Sequence, residues 1–224
     1  MPRIALIHAT RVAIDPIEEA ARKLWPDAEM ISILEEGLSV DRPKSKDLSA
    51  GLHHRIVGLT RYAESTDADG ILFTCSAFGN AIQDAARSSP VPVMKPNEAM
   101  FDAALELGER IAMIYTFPPA AAGMEEEFRE AAHEKGRTAD LRSYFCDGAL
   151  DALRAGNNAE HNRLVALTAQ GIEDVDAIML AQFSMAEAAD EVRRHIDIPI
   201  LTSPEAAITE IRRRVETSER NKTC

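Results

Sequence analysis

Short aliphatic, β-branched runs alternate along this chain with longer stretches in which apolar positions recur every three or four residues. A brief continuous apolar run reads as a strand buried on both faces, and the 3.6-residue period reads as a helix with one buried stripe. The pattern predicts strands over 4–8, 30–34, 71–75, 91–94, 111–115, 141–145, 178–182 and 198–201, with helices between them. Such alternation predicts an α/β fold on parallel sheets. Two helix starts are legible. Asp15-Pro16-Ile17-Glu18 offers a capping residue, a proline at the first helical position and a glutamate three residues after the cap; Ser203-Pro204 repeats the first two. The stretch 35–51, EEGLSVDRPKSKDLSAG, follows neither period and reads as a loop that covers a site or runs over the surface.

The pattern also repeats itself. RIALIHA from Arg3 returns as RIAMIYT from Arg110, DGILFTCSAFG from Asp69 as DAIMLAQFSMA from Asp176, and VPVMKPNEA from Val91 as IPILTSPEA from Ile198, always 107 positions later. Three matches in one register, with the Pro92/Pro199 and Glu98/Glu205 identities, predict two homologous halves. The expected architecture is two pseudo-symmetric, Rossmann-like lobes, one from 1–97 with 204–224 and the other from 98–203. Ligands of parallel sheets collect outside the carboxyl ends of the strands. Two facing lobes would therefore line a cleft with His8 opposite Tyr115, Cys75 opposite Gln182 and Lys95 opposite Thr202.

Charge removes several classes of partner. With 25 Lys and Arg against 37 Asp and Glu, the formal net charge is −12, which disfavours nucleic acid and anionic membrane surfaces. MPRIALIHAT carries no cleavage pattern and no later run approaches bilayer-spanning length, so a cytoplasmic protein is expected. Cys75, Cys146 and Cys224 have no CxxC spacing, which argues against a disulfide framework and against zinc. His53, His54, His133, His161 and His195 fall in helical segments without metal-ligand spacing, and no GxGxxG or P-loop pattern supports a nucleotide cofactor.

The candidate chemistry centres on ILFTCSAFG. Cys75 is expected to end a strand where Ser76-Ala77-Phe78 open a helix, so that unpaired N–H groups lower the thiol pKa and those of Ser76 and Ala77 can hold a carboxylate or an oxyanion. A small buried hydrophobe is the alternative reading of Cys75. Thr10, Thr116, Ser184 and Thr202 lie at strand ends, suited either to substrate oxygens or to turns, and Arg11 could pair with a carboxylate. Cys146 ends a strand away from these turns, and Cys224 lies on a polar tail.

The duplicated pattern, the TCSAFG turn, the PVPVMKPNEA segment and the LAQFSMA turn together resemble the aspartate/glutamate/hydantoin racemase superfamily, over nearly the whole chain. The resemblance implies dimeric, cofactor-independent enzymes in which thiols at the mouths of two lobes move a proton at the carbon next to a carboxylate. It assigns Cys75 to the first thiol position and sets Gln182 where two-base members carry the second cysteine. An amide cannot change protonation near neutral pH. The second acid/base role then falls to His8, Tyr115 or Lys95, or the enzyme works with one thiol. Thr10, Ser76, Ala77, Thr116, Gln182, Phe183 and Ser184 are the expected contacts to a small carboxylated substrate. Three functions follow: an isomerase of the racemase kind, a one-thiol decarboxylase like arylmalonate decarboxylase, or a carboxylate-binding protein that has lost catalysis.

Overall fold

The aliphatic runs form two separate four-stranded parallel sheets in a computed structural model that describes residues 1–45 and 47–223. The first sheet holds β1 (Arg3–His8), β2 (Glu29–Leu34), β3 (Gly70–Phe73) and β4 (Val93–Met94) in the order β2-β1-β3-β4. The second holds β5 (Arg110–Tyr115), β6 (Asp140–Phe145), β7 (Ala177–Leu180) and β8 (Ile200–Thr202) in the matching order β6-β5-β7-β8. Among the described residues the α-helices between and after the strands are α1 (Ile14–Leu24), α2 (Gly37–Asp41), α3 (Ala50–Glu64), α4 (Gly79–Ser88), α5 (Glu98–Leu107), α6 (Pro118–Glu134), α7 (Ala149–Arg154), α8 (Asn158–Gln170), α9 (Ala189–Arg193) and α10 (Ser203–Thr223). The fold is thus the expected α/β pair of parallel-sheet lobes.

Burial explains which runs are continuous. Ile4 to Ile7 in β1 and Ile111 to Ile114 in β5 are at most 1% exposed, because each is an inner strand covered on both faces. The outer strand β2 is mostly half-buried, and β6 is half exposed, with Asp140, Arg142 and Phe145 open to solvent. The helices bury single stripes: Pro16, Ile17, Ala20 and Ala21 in α1, and Leu52, Ile56, Thr60 and Ala63 in α3. Each fully buried Leu or Ile contributes roughly 1.5–3 kcal/mol.

The chain divides into two compact units, Met1–Pro96 with Ala207–Cys224 and Asn97–Ala206. The helix after each sheet's fourth strand is counted with the other unit: α5 follows β4 but belongs to the second, and most of α10 follows β8 but belongs to the first. In the first unit α10 lies so close to β3 that a Cβ on Gly70 would come within 2.9 Å of Val215 Cγ2, and Arg212 reaches Leu24 O at 3.1 Å and stands 5.8 Å over the Trp25 ring. In the second, Phe101 of α5 meets Phe128 of α6 edge-on at 5.6 Å.

The repeat is visible as a shared staple. The Asp69 carboxylate accepts from Arg3 N at 2.9 Å, and 107 residues later the Asp176 carboxylate accepts from Arg110 N at 2.9 Å. The second copy is reinforced by the Arg110 guanidinium, at 2.6 Å, and by Glu109 N; these bonds hold the Asp176 carboxyl down at about 2. In the first copy the Arg3 guanidinium turns instead to Glu29 and to Thr66 O.

Several local expectations are corrected. β3 and β7 end two residues early, at Phe73 and Leu180, because the chain turns after one further rung, Thr74 N to Ile7 O at 3.0 Å and Ala181 N to Ile114 O at 2.9 Å. β4 and β8 start after Pro92 and Pro199, residues that cannot donate to the ladder although their carbonyls accept from Ile71 and Ile178. α1 begins at Ile14 out of a 3-10 turn (Arg11–Ala13), which leaves Asp15 inside the first turn rather than at the cap. Ser203 is the first residue of α10. The stretch 35–51 is not a plain loop. It contains α2 and a 3-10 turn (Arg42–Lys44), elements too short to register a period, and ends with Ser49 capping α3 through Leu52 N. His195 lies beyond α9, on the turn that follows it.

Candidate active site

Strand order reverses between β1 and β3 in the first lobe and between β5 and β7 in the second, since the chain moves outward from β1 to β2 and then returns past it. Crossovers diverge at such a point and leave the carboxyl ends of the inner strands uncovered. In the first lobe those ends deliver His8 and the Cys75 turn. In the second they deliver Tyr115, Thr116 and Gln182.

Cys75 is extended, with φ −125° and ψ 122°, immediately before a 3-10 turn (Ser76–Phe78) that leads into α4. The residue is half-buried, while its sulfur sits among enough protein atoms that burial pushes the thiol up from its ordinary value. A bond to the Ala77 backbone and the charge of Arg42 act in the opposite direction without overcoming burial. The expected lowering of the thiol by a helix start is thus corrected. A 3-10 turn supplies one bond to the sulfur, less than the desolvation it must offset.

His8 is fully buried, and both ring nitrogens are engaged: Nδ1 with Thr74 Oγ1 at 2.9 Å and Nε2 with Ser32 Oγ at 3.3 Å. Ser32 in turn donates to Glu18 Oε1 at 2.9 Å. With the Ser32 proton directed at a carboxylate, Ser32 Oγ can only accept from His8; a neutral ring then carries its hydrogen on Nε2, and Nδ1 shares the Thr74 hydroxyl proton with Ile7 O, 3.3 Å from Thr74 Oγ1. Burial lowers the imidazole pKa to about 4, so the ring is neutral at pH 7. The chain Glu18–Ser32–His8–Thr74 ends on the residue that precedes Cys75.

The second lobe places different chemistry at the equivalent positions. Gln182 Oε1 accepts from Thr116 N at 2.9 Å and from Thr116 Oγ1 at 3.4 Å, which fixes the amide and leaves its buried Nε2 with no hydrogen-bond partner among the described residues. Thr202 Oγ1 and Asn97 Nδ2 are likewise buried without a partner among those residues. The β7–β8 register sets Thr202 beside Leu180, two residues before Gln182. Asn97 Oδ1 accepts from Ser203 Oγ at 2.6 Å. Tyr115 is half-buried, its ring 5.5 Å from that of Phe145. The lobe offers neutral donors able to hold an oxygen.

The remaining candidates fall out as follows. Thr10 is half-buried and leads into the first 3-10 turn without a side-chain cap bond. Ser76, Phe183 and Ser184 are buried, Ala77 is half-buried, and Lys95 is half-buried after β4. Arg11 is exposed and doubly bonded to Glu36, at 3.0 and 2.8 Å. Cys146 is buried, its thiol pushed up by burial against a bond from the Thr168 side chain. Cys224 lies outside the described residues. Among the described residues no three His, Cys, Asp or Glu side chains group as metal ligands, and no helix is long and apolar enough to cross a membrane. The sequence reading missed Arg42, Thr74, Ser32, Glu18 and Asn97. Arg42 lies in the stretch that reads as a loop covering a site or running over the surface; the others carry no local signal.

A sequence model of the Asp/Glu/Hydantoin racemase family matches residues 6–211. No curated protein matches the chain in sequence. Among solved structures, the chain is similar to glutamate racemase isoform RacE1 from Bacillus anthracis, with 14% identity and a TM-score of 0.78 over 96% of this chain and 82% of that one. It is also similar to allantoin racemase from Klebsiella pneumoniae, with 17% identity and a TM-score of 0.69 over 97% and 89%. A cysteine-substituted mutant of arylmalonate decarboxylase in a sulfate-associated form matches with 19% identity and a TM-score of 0.66 over 96% and 94%. At these identities the likeness is one of fold.

Proposed function

The chain belongs to the Asp/Glu/Hydantoin racemase family, and from that premise we propose that it is a cofactor-independent isomerase that moves a proton at the carbon next to the carboxylate of a small acid, with Cys75 as an acid/base group. The observation that carries this reading is the Cys75 thiol at the switch point of the first sheet, bonded by the Ala77 backbone and acted on by the charge of Arg42. Because burial keeps the thiol protonated at rest, Cys75 begins as the acid. A base must then remove the substrate proton. His8 is poorly suited, since both its nitrogens are engaged and its proton affinity is low, and the role passes to Tyr115 or Lys95. The neutral donors Gln182 Nε2 and Thr202 Oγ1 suit carboxylate or enediolate oxygens, as do the backbone N–H groups of the Cys75 turn.

A second reading has its own support. Gln182 cannot ionise, and its amide is held by Thr116, so the second lobe contributes no acid or base at the position equivalent to Cys75. A protonated thiol alone suffices for a decarboxylase: loss of carbon dioxide from a malonate-like acid leaves its electron pair on an enediolate, and the Cys75 S–H protonates that carbon on one face. Heavy-water exchange separates the two. An isomerase gives the inverted enantiomer labelled with deuterium at the reacting carbon, whereas the one-thiol decarboxylase gives a single labelled product enantiomer. If neither labelling nor turnover occurs across a panel of amino acids, hydantoins and malonates, the chain is a carboxylate binder instead.

A further inference from the structure

We propose that Arg42 is the residue that makes Cys75 competent, by holding the turn beneath the sulfur and stabilising the thiolate through its charge; this rests on the reading of Cys75 as the acid/base group. The 3-10 turn after α2 carries the guanidinium to the Cys75 turn, where Nε donates to Ala77 O at 3.0 Å while NH1 donates to Ser45 O at 2.9 Å. Ala77 is also the residue whose backbone bonds the Cys75 thiol. One residue is thus fastened on its carbonyl side by Arg42 and bonded through its backbone to the sulfur.

The charge has a clear direction. A cycling acid/base must give up its proton and take it back, and burial alone opposes the first step. Arg42 is the charged side chain that acts on the thiol against burial. Among the described residues, charged groups of the same segment and of α3 form ion pairs: Arg55 with Glu35 and Asp41, and Lys44 with Asp41. Buried His8, near Thr74, is neutral at pH 7. The ion pairs of Arg55 also tie the segment that bears Arg42 to α3, so the guanidinium is presented from an anchored element.

The test reads the thiol directly. Alkylation of Cys75 by iodoacetamide is followed across pH by peptide mass spectrometry, which separates it from Cys146 and Cys224, in the full chain and in the Arg42→Gln, Arg42→Met and Arg42→Lys variants. Removing an opposite charge should raise the pH of half-maximal alkylation in both neutral variants and slow the reaction at pH 8 by about three- to tenfold. Arg42→Lys, which keeps the charge, should recover most of that shift. Arg42 is half-buried on a surface turn outside the core, and either neutral variant suffices if the other fails to fold. A folded neutral variant whose profile superimposes on that of the parent protein overturns the proposal, as does a Lys variant that behaves like the neutral ones. Because no turnover is measured, failure here is distinct from failure of the proposed reaction.

Discussion

The two lobes share a scaffold and differ in chemistry. Both have the same strand order, the same Arg–Asp staple and a 3-10 turn after the third strand. At the carboxyl ends of the inner strands the first lobe sets an ionisable thiol, a guanidinium beside it and a buried imidazole. The second sets an amide locked by Thr116 and buried donors without protons to exchange near neutral pH. Duplication fixed the geometry twice, because backbone pairing tolerates little change. The residues just beyond the ladder differ: one copy carries a thiol and a buried imidazole there, the other an amide and hydroxyls.

The contrast can be broken most directly at Cys75. Cys75→Ser should lower any turnover found for the protein by about 10²–10⁴-fold, the usual weight of a positioned acid or base, with thermal stability little changed. Near-parental turnover in that variant would move the chemistry elsewhere. The first lobe's imidazole comes next. His8 is neutral when folded, with a pKa of about 4, and protonates near 6.5 when unfolded, so its contribution to stability is present above pH 6.5 and is lost as pH falls toward 4. The loss amounts to about 3 kcal/mol at the lower limit. Urea unfolding at pH 7 and pH 4.5 should show a steeper decline for the parent than for His8→Gln, and equal slopes would refute it.

At Gln182 the expectation is inverted. Gln182→Ala strips the acceptor from Thr116 N and should cost about 1–3 kcal/mol of stability, more than Cys75→Ala, while reducing turnover less than Cys75→Ser does. Chemical denaturation of the two alanine variants side by side decides whether position 182 is structural and position 75 chemical. The smallest effect concerns the staples. Asp176→Asn should lower the melting temperature more than Asp69→Asn, since Asp176 also holds a guanidinium and a second backbone N–H. That extra contribution, present above the ordinary carboxylate range, should disappear as pH falls toward 2.

The scaffold was largely legible because strand burial writes itself into composition: a run such as ILF at 71–73 has few other uses, and a repeat offset of 107 fixes two halves together. The ends of elements were less legible. Nothing in ILFTC says that the ladder stops at Phe73, and α2, with five residues, is shorter than the windows in which periodicity is read. The site was half legible. Cys75 stands out because a thiol before small residues is uncommon in an apolar run, whereas Arg42 reaches Ala77 across 35 positions and Ser32 reaches His8 across 24, contacts that no local pattern encodes.

The crossed assignment of α5 and α10 carries a consequence for descent. A half-length chain built on this plan lacks the helix that completes its own sheet and must borrow one from a second copy. Two such copies would complete one another by exchanging their terminal helices, and joining them end to end would make the exchange permanent within one polypeptide. Severing the present chain near residue 108 would undo that joining. Each fragment would keep a sheet and carry the other's missing helix, which makes the two halves interdependent even where their chemistry has parted.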